Sequence, residues 1–283
     1  MQVGIDIGGS NTRVGVFPSP DASNFSLLAK FPTQQDYEQQ LRYISDALQE
    51  YAGADIAGIG ISLAGRIARD GRSVDVAPNL PGYVGMPFAQ DIAGRFGCTV
   101  RLAHDTVCGL LAEKQFGSLR LIDRCAYLTV STGTGAAFQL RKDAASPPLT
   151  VSIEIGHQLL DGNSRRCLCG QTGCLETYTG GRQLELRYER PLEQISDEAF
   201  WEQFSDKLAL GLLNLAMLTR VEAVAVSGAI ALNRPTLLEQ VQRQINTRIR
   251  GATLTLYTAA LRENAPLVGA AVLLSVPEET IFH

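Results

Sequence analysis

The 283-residue chain has no run of lysine or arginine, no recognisable linker and no low-complexity tract. Its densest basic spot is the pair Arg165-Arg166, and the formal net charge is -4 with a pI near 5.5. Proteins that bind phosphate backbones or anionic lipid gather cations on one surface, so neither a nucleic-acid nor a membrane partner is expected. No basic n-region or cleavage site follows Met1, so no signal peptide is read and the expected compartment is the cytoplasm. The most apolar window, 208–218, is interrupted by Gly211 and Asn214. It falls far short of the roughly 20 residues that span a bilayer, which predicts a core helix instead.

What is present describes a globular protein: 45% hydrophobic residues, 19% charged residues and a mean hydropathy of +0.03. The length exceeds a usual single domain, so two compact lobes with a cleft between them are expected. β-Branched or apolar runs at 3–7 and 13–17 flank Gly8-Gly9-Ser10-Asn11, the pattern of a hairpin. Residues 34–51 carry helical periodicity through Tyr37, Leu41, Ile44 and Leu48, and 57–63 reads as a buried strand. A helix at 88–96, a strand at 99–103 and a helix at 107–116 follow, placing Asp105 at a strand-to-helix junction. A second hairpin, 126–130 and 136–140, turns on Ser131-Thr132-Gly133-Thr134-Gly135 and repeats the plan of the first. That spacing suits a duplicated lobe rather than a short repeat. Helices at 197–219 and 235–250, strands at 223–227 and 253–257 and a helix after Pro266 complete the reading.

Glycines mixed with small hydroxyl residues let backbone N–H groups converge, and such concavities hold phosphate oxygens. Two of them, one per lobe, suit a triphosphate, although a glycine pair in a hairpin also serves turn geometry alone. The chain lacks a Walker A lysine loop, and its first turn joins strand to strand, so neither P-loop nor Rossmann binding is supported. Asp6, at a strand end beside the first turn, suits magnesium or its waters, or a turn cap. Asp105 equally suits a helix N-cap.

Six cysteines divide into two groups. Cys98, Cys108 and Cys125 stand apart and read as small core residues, whereas Cys167, Cys169 and Cys174 crowd around Gly170 and Gly173 with His157 ten positions before Cys167. Three thiolates and one imidazole complete a tetrahedral zinc shell, and the glycines permit the sharp knuckle that this spacing needs. Three unrelated thiols so close together would be an oxidation liability. A closed shell leaves no place for water, so the zinc is expected to organise the loop 157–174 rather than catalyse.

The motifs Asp6-Ile7-Gly8-Gly9-Ser10-Asn11-Thr12, Ser131-Thr132-Gly133-Thr134-Gly135, Glu154-Ile155-Gly156-His157 and Cys167-Leu168-Cys169-Gly170-Gln171-Thr172-Gly173-Cys174-Leu175-Glu176 resemble the ROK group of sugar kinases and repressors, within the actin and hexokinase superfamily. The likeness spans nearly the whole chain and extends to bacterial allose, N-acetylmannosamine and N-acetylglucosamine kinases and glucokinases. It implies an α/β, two-lobed, ribonuclease-H-like fold of the actin and hexokinase type, with an interlobe cleft and a zinc-binding loop. The small lobe would be 1–106, completed by a terminal helix at about 267–283, and the larger lobe 107–266. The implied activity is ATP-dependent phosphorylation of a hexose or N-acetylhexosamine at its 6-hydroxyl, with Asp105 as the base.

By the same resemblance Glu154, His157 and Glu176 hydrogen-bond sugar hydroxyls, with Gly65, Arg66 and Asn79 on the facing wall. Solvated surface charge is the plainer reading of Glu154, Glu176 and Arg66. ATP with magnesium is implied at Asp6, Gly8, Gly9, Ser10, Asn11 and Thr12, at Thr132, Gly133, Thr134 and Gly135, and at Gly228 and Ala229, where Ser227-Gly228-Ala229 replaces the usual glycine triplet. His104 stands where many members place an asparagine that reads sugar hydroxyls, and it is carried over as a substrate contact. A homodimer is implied by analogy. A catalytically silent sugar-binding protein or a sugar-responsive regulator is the alternative; family repressors carry an added helix-turn-helix domain, and with the first strand at about Val3 none is expected here.

Overall fold

The computed structural model describes residues 1–18, 24–51, 55–143 and 145–283. The chain forms two compact units, one of Met1–Phe116 with Asn264–His283 and one of Gly117–Glu263. No helix among the described residues is long and apolar enough to cross a membrane.

In the first unit, β1 (Gln2–Ile7), β2 (Asn11–Phe17), β3 (Ser26–Pro32), β4 (Gly58–Leu63) and β5 (Thr99–His104) form one sheet in the order β3-β2-β1-β4-β5. The β1-β2-β3 meander is antiparallel, while β1, β4 and β5 run parallel. Alternation along the strands divides the faces. Val3, Ile5 and Ile7 of β1 bury with Ile59, Ile61 and Leu63 of β4 against Tyr37, Leu41 and Ile44 of α1 (Tyr37–Ala47) and Phe88 and Ile92 of α2 (Phe88–Phe96). On the opposite face, α3 (Asp105–Gln115) lies against a terminal helix, Ala265–Leu273. That helix packs so closely that a Cβ on Gly269 would lie 1.8 Å from the carbonyl oxygen of Cys108. Backbone cannot yield as a side chain does. Gly269→Ala therefore destabilises the protein by about 3 kcal/mol or more, read as a lowered urea midpoint at unchanged m-value.

In the second unit, β6 (Cys125–Val130), β7 (Thr134–Leu140), β8 (Leu149–Ile153), β9 (Ala223–Ser227) and β10 (Thr255–Thr258) lie side by side within a sheet in the order β8-β7-β6-β9-β10. Two antiparallel pairings and two parallel ones recur in the same places. Strand order and strand direction thus match those of the first unit, the duplication expected from the paired turns and the ribonuclease-H-like plan implied by the resemblance. The core gathers Trp201, Phe204, Leu208 and Leu212 of the 22-residue helix Glu198–Thr219 with Val224, Val226 and Ile245. The window 208–218 is a core helix, as its interruptions predicted; its buried residues include Gly211, and Asn214 faces outward.

The terminal helix ends at Leu273 and gives way to a short strand at Ile281–Phe282, so the helical expectation to 283 is corrected. Val276 and Pro277 interrupt the run, and Pro277 lacks the N–H that a helix interior needs. The strands β3 and β8 were not expected: β3 has no fully buried residue, so no clean alternation marks it.

Candidate active and metal sites

In the first unit, Asp6 sits in β1 beside Arg13 of β2, because the antiparallel register pairs these two positions. The Arg13 guanidinium donates to Asp6 Oδ2 at 2.7 and 3.1 Å, and the Ser62 hydroxyl donates to Oδ1 at 2.9 Å. Burial pushes the Asp6 carboxyl up from the usual range, against the opposing pull of Arg13 and Ser62. A carboxylate engaged on both oxygens suits holding a magnesium-bound water more than direct coordination. The turn after β1 is a tight one, with Gly8 N–H donating to Asn11 C=O at 3.0 Å. Asn79 lies against it: a Cβ on Gly9 would fall 3.2 Å from that of Asn79. Thr12 is fully buried, and its hydroxyl is engaged by Gln40 and Thr33, so its side chain is not available to a ligand.

At the junction of β5 and α3, Asp105 is not the helix cap. The N-cap is His104, whose Nδ1 accepts the Thr106 N–H at 3.2 Å and lies 2.7 Å from the Thr106 hydroxyl. Asp105 is the first helical residue, so its carboxylate does no capping. His104 Nδ1 also stands 2.9 Å from Asp105 Oδ1. Oδ1 itself is shut off from solvent, while the Asp105 side chain as a whole is 26% exposed, so the part open to a ligand lies away from Oδ1. Gly65 is buried just beyond β4, whereas Arg66 is exposed and paired with Asp75 at 2.8 Å.

In the second unit the Ser131–Gly135 turn is tied to two other segments. Gly181 and Arg182 donate their N–H groups to the carbonyls of Ser131 and Thr132 at 2.8 and 3.0 Å. The Thr134 N–H donates to Glu176 Oε2 at 2.9 Å, and its hydroxyl meets that of Thr179 at 2.8 Å. Glu176 is therefore not a solvated surface charge, although Glu154 is exposed. Beside the turn lies a cavity of about 340 Å³ whose lining includes Thr132, Arg182, Trp201, Ala229 and Arg234. The Arg234 guanidinium stacks over the Trp201 ring at 3.9 Å. Thr132 and Ala229 were read as nucleotide contacts from sequence. Arg182, Trp201 and Arg234 were not, because the fold collects them from three separate segments.

The metal-site residues converge as their spacing predicted. One ligand atom each of His157, Cys167, Cys169 and Cys174 lies within 4.8 Å of all the others. Cys169 and Cys174 Sγ are 3.7 Å apart, and Cys167 Sγ is 3.9 Å from His157 Nδ1. Zinc bonds of about 2.3 Å to sulfur and 2.0–2.1 Å to nitrogen give tetrahedral edges of roughly 3.6–3.8 Å, so the donor set fits that ion. Gly170 and Gly173, at φ +94° and +98°, supply the left-handed turns of the knuckle. Burial raises the Cys174 thiol, with the neighbouring thiols adding to it, which is the position of a sulfur that ionises only with a cation beside it. Cys108 and Cys125 are buried core residues, as expected, and Cys98 is partly buried.

Paired sheets of this topology, with one glycine-hydroxyl turn each and a Cys3His loop, define an actin and hexokinase type of α/β protein. The ROK family model matches residues 2–276, and the chain belongs to that family. An N-acetyl-D-glucosamine kinase of Citrobacter koseri is 27% identical over 82% of this chain and 84% of its own. A glucokinase of Thermotoga maritima is 29% identical over 62% of this chain and 55% of its own. A xylose repressor of Caldicellulosiruptor bescii is 23% identical over 98% of this chain and 79% of its own. Among solved structures, a ROK hexokinase from Thermus thermophilus superposes with a TM-score of 0.75 at 26% identity, covering 95% of this chain and 96% of that one.

Proposed function

We propose that the protein is a cytoplasmic, ATP-dependent kinase that phosphorylates a hexose or N-acetylhexosamine at its 6-hydroxyl. The observation that most supports this is the Asp105 side chain at the start of α3, 26% exposed and released from capping because His104 caps the helix. Phosphoryl transfer through a loose transition state asks for positioning and charge neutralisation, with one group to receive the hydroxyl proton. Asp105 is that group. Asn79 and Glu176 serve as sugar-hydroxyl partners, with Nε2 of His157 donating while Nδ1 faces the metal. His104 caps α3 through Nδ1, and its Nε2 meets a sugar hydroxyl. The turn amides at Gly9–Ser10 and Thr132–Gly133 suit phosphate oxygens, and magnesium, arriving with the nucleotide, would neutralise charge on them.

The Cys3His set would hold zinc as a brace for the loop bearing His157, Cys174 and the adjoining Glu176. The nucleotide base occupies the cavity beside Trp201 and Ala229. Ala229→Trp, which fills that space, raises the KM for ATP more than about tenfold while the sugar KM stays within twofold or so. The reading is tested by a coupled ADP-release assay over glucose, allose, mannose, fructose, N-acetylmannosamine and N-acetylglucosamine with zinc-loaded protein. Turnover on at least one sugar is expected. Silence on all, with calorimetric sugar binding retained, assigns the protein instead to the silent or regulatory class represented by the repressor relatives.

A further inference from the structure

We propose that Gln183 is a positioning residue that couples the metal thiolates to the carboxylate of Glu176. Gln183 lies in the helix Gly181–Tyr188, 8% exposed, and was not singled out by any sequence motif. Its Nε2 donates to Cys167 Sγ at 2.8 Å and to Glu176 Oε1 at 3.2 Å. A carboxamide has two amide hydrogens, and two acceptors at these distances use both of them. The other oxygen of Glu176 already accepts the Thr134 N–H. The result is one chain of contacts: sulfur, amide, carboxylate, turn backbone.

The chemistry gives that chain a direction. A thiol sulfur is a weak acceptor, whereas a metal-bound thiolate is a charged one, so metal binding strengthens the Gln183 contact and fixes the amide plane. With the amide fixed, Oε1 of Glu176 is held on one side and Oε2 on the other, which sets the carboxylate's remaining lone pairs. Two anions, thiolate and carboxylate, share one dipolar neighbour that satisfies both. Glutamate at this position would place a third acceptor between them, and asparagine would fall one methylene short. Coupling of this kind is reciprocal, so a change at Glu176 alters the metal site through Gln183.

The consequence for sugar recognition rests on Glu176 being a sugar ligand, but the coupling itself is measurable without sugar. Gln183→Met keeps side-chain length and removes both donors; Gln183→Asn keeps the amide and withdraws it, and serves where the methionine protein fails to fold. Both are loaded with cobalt and followed by the thiolate-to-cobalt charge-transfer band and by metal transfer to a chromogenic chelator. The expected result is a shift of the band to longer wavelength and metal transfer faster by about tenfold or more. Glu176→Gln shifts the band in the wild-type background and not in Gln183→Met, so the double-mutant cycle is non-additive. On a turned-over sugar, Gln183→Met raises the sugar KM about tenfold and leaves the KM for ATP unchanged. An unmoved band and an unchanged transfer rate in a folded variant overturn the proposal, and so does an additive cycle. A wild-type protein that neither binds nor phosphorylates any sugar refutes the kinase reading, while the cobalt cycle still decides the coupling.

Discussion

Asp105→Asn lowers kcat by about 10²- to 10⁴-fold, the range removed with a general base, while the sugar KM changes by a few-fold or so. The asparagine is isosteric and retains an oxygen for sugar contact, but its amide cannot take up the hydroxyl proton. Stability is expected to change by less than about 1 kcal/mol. The helix loses only a first-turn negative charge, a modest dipole interaction. Its cap is untouched, because His104 supplies it. This separates the substitution from a folding defect: full turnover in a folded Asp105→Asn protein refutes Asp105 as the base, and a collapse of the unfolding midpoint refutes the assignment of the cap to His104. Single-turnover measurements place the loss on chemistry rather than on product release.

The position of Asp105 also shows what the sequence made legible. Patterns with a strict period were readable: the β1 and β6 strands, the 208–218 core and the run of cysteines, whose spacing alone limits what the backbone can build. The strand-to-helix junction was readable as well, but not the division of labour within it. Both His104 and Asp105 have side chains able to cap, and only backbone geometry decides which of them does. The β3 and β8 strands escaped notice because neither buries its residues in clean alternation. Arg182, Trp201 and Arg234 lie on segments far apart in the chain, and no local pattern links them. Gln183 has an ordinary helical environment in sequence; its role emerges only when the helix Gly181–Tyr188 is laid beside the knuckle. Glycine turns, by contrast, repeat because the same sheet order is built twice, which makes the separation of Gly9 from Gly133 a property of topology.

The second large effect is expected from Cys174→Ser. Cys174 is fully buried, and its sulfur stands 3.7 Å from that of Cys169, so a serine there removes one corner of the donor tetrahedron and leaves a hydroxyl that does not ionise. Metal content falls from one equivalent to none at equimolar zinc, and the sugar KM rises by roughly 100-fold or more, beyond the range seen when only outer partners of a ligand are lost. The rest of the unit does not depend on the metal for its core: Trp201, Phe204, Leu212 and Val224 pack on one another and on the sheet. The loop's own backbone bonds, Cys167 N–H to Gln171 C=O at 2.8 Å and Gly173 N–H to Arg165 C=O at 2.9 Å, are local. Loss of zinc is therefore a local opening rather than global unfolding. A non-hydrolysable ATP analogue still binds within a few-fold of wild type, because the cavity beside Trp201 is lined by residues outside the knuckle. Calorimetry with sugar and analogue in turn separates the two sites, and Cys98→Ser, which touches no metal donor, serves as the matched control. A Cys174→Ser protein that binds no zinc yet keeps its sugar KM removes the metal loop from sugar recognition and returns Glu176 to the turn alone.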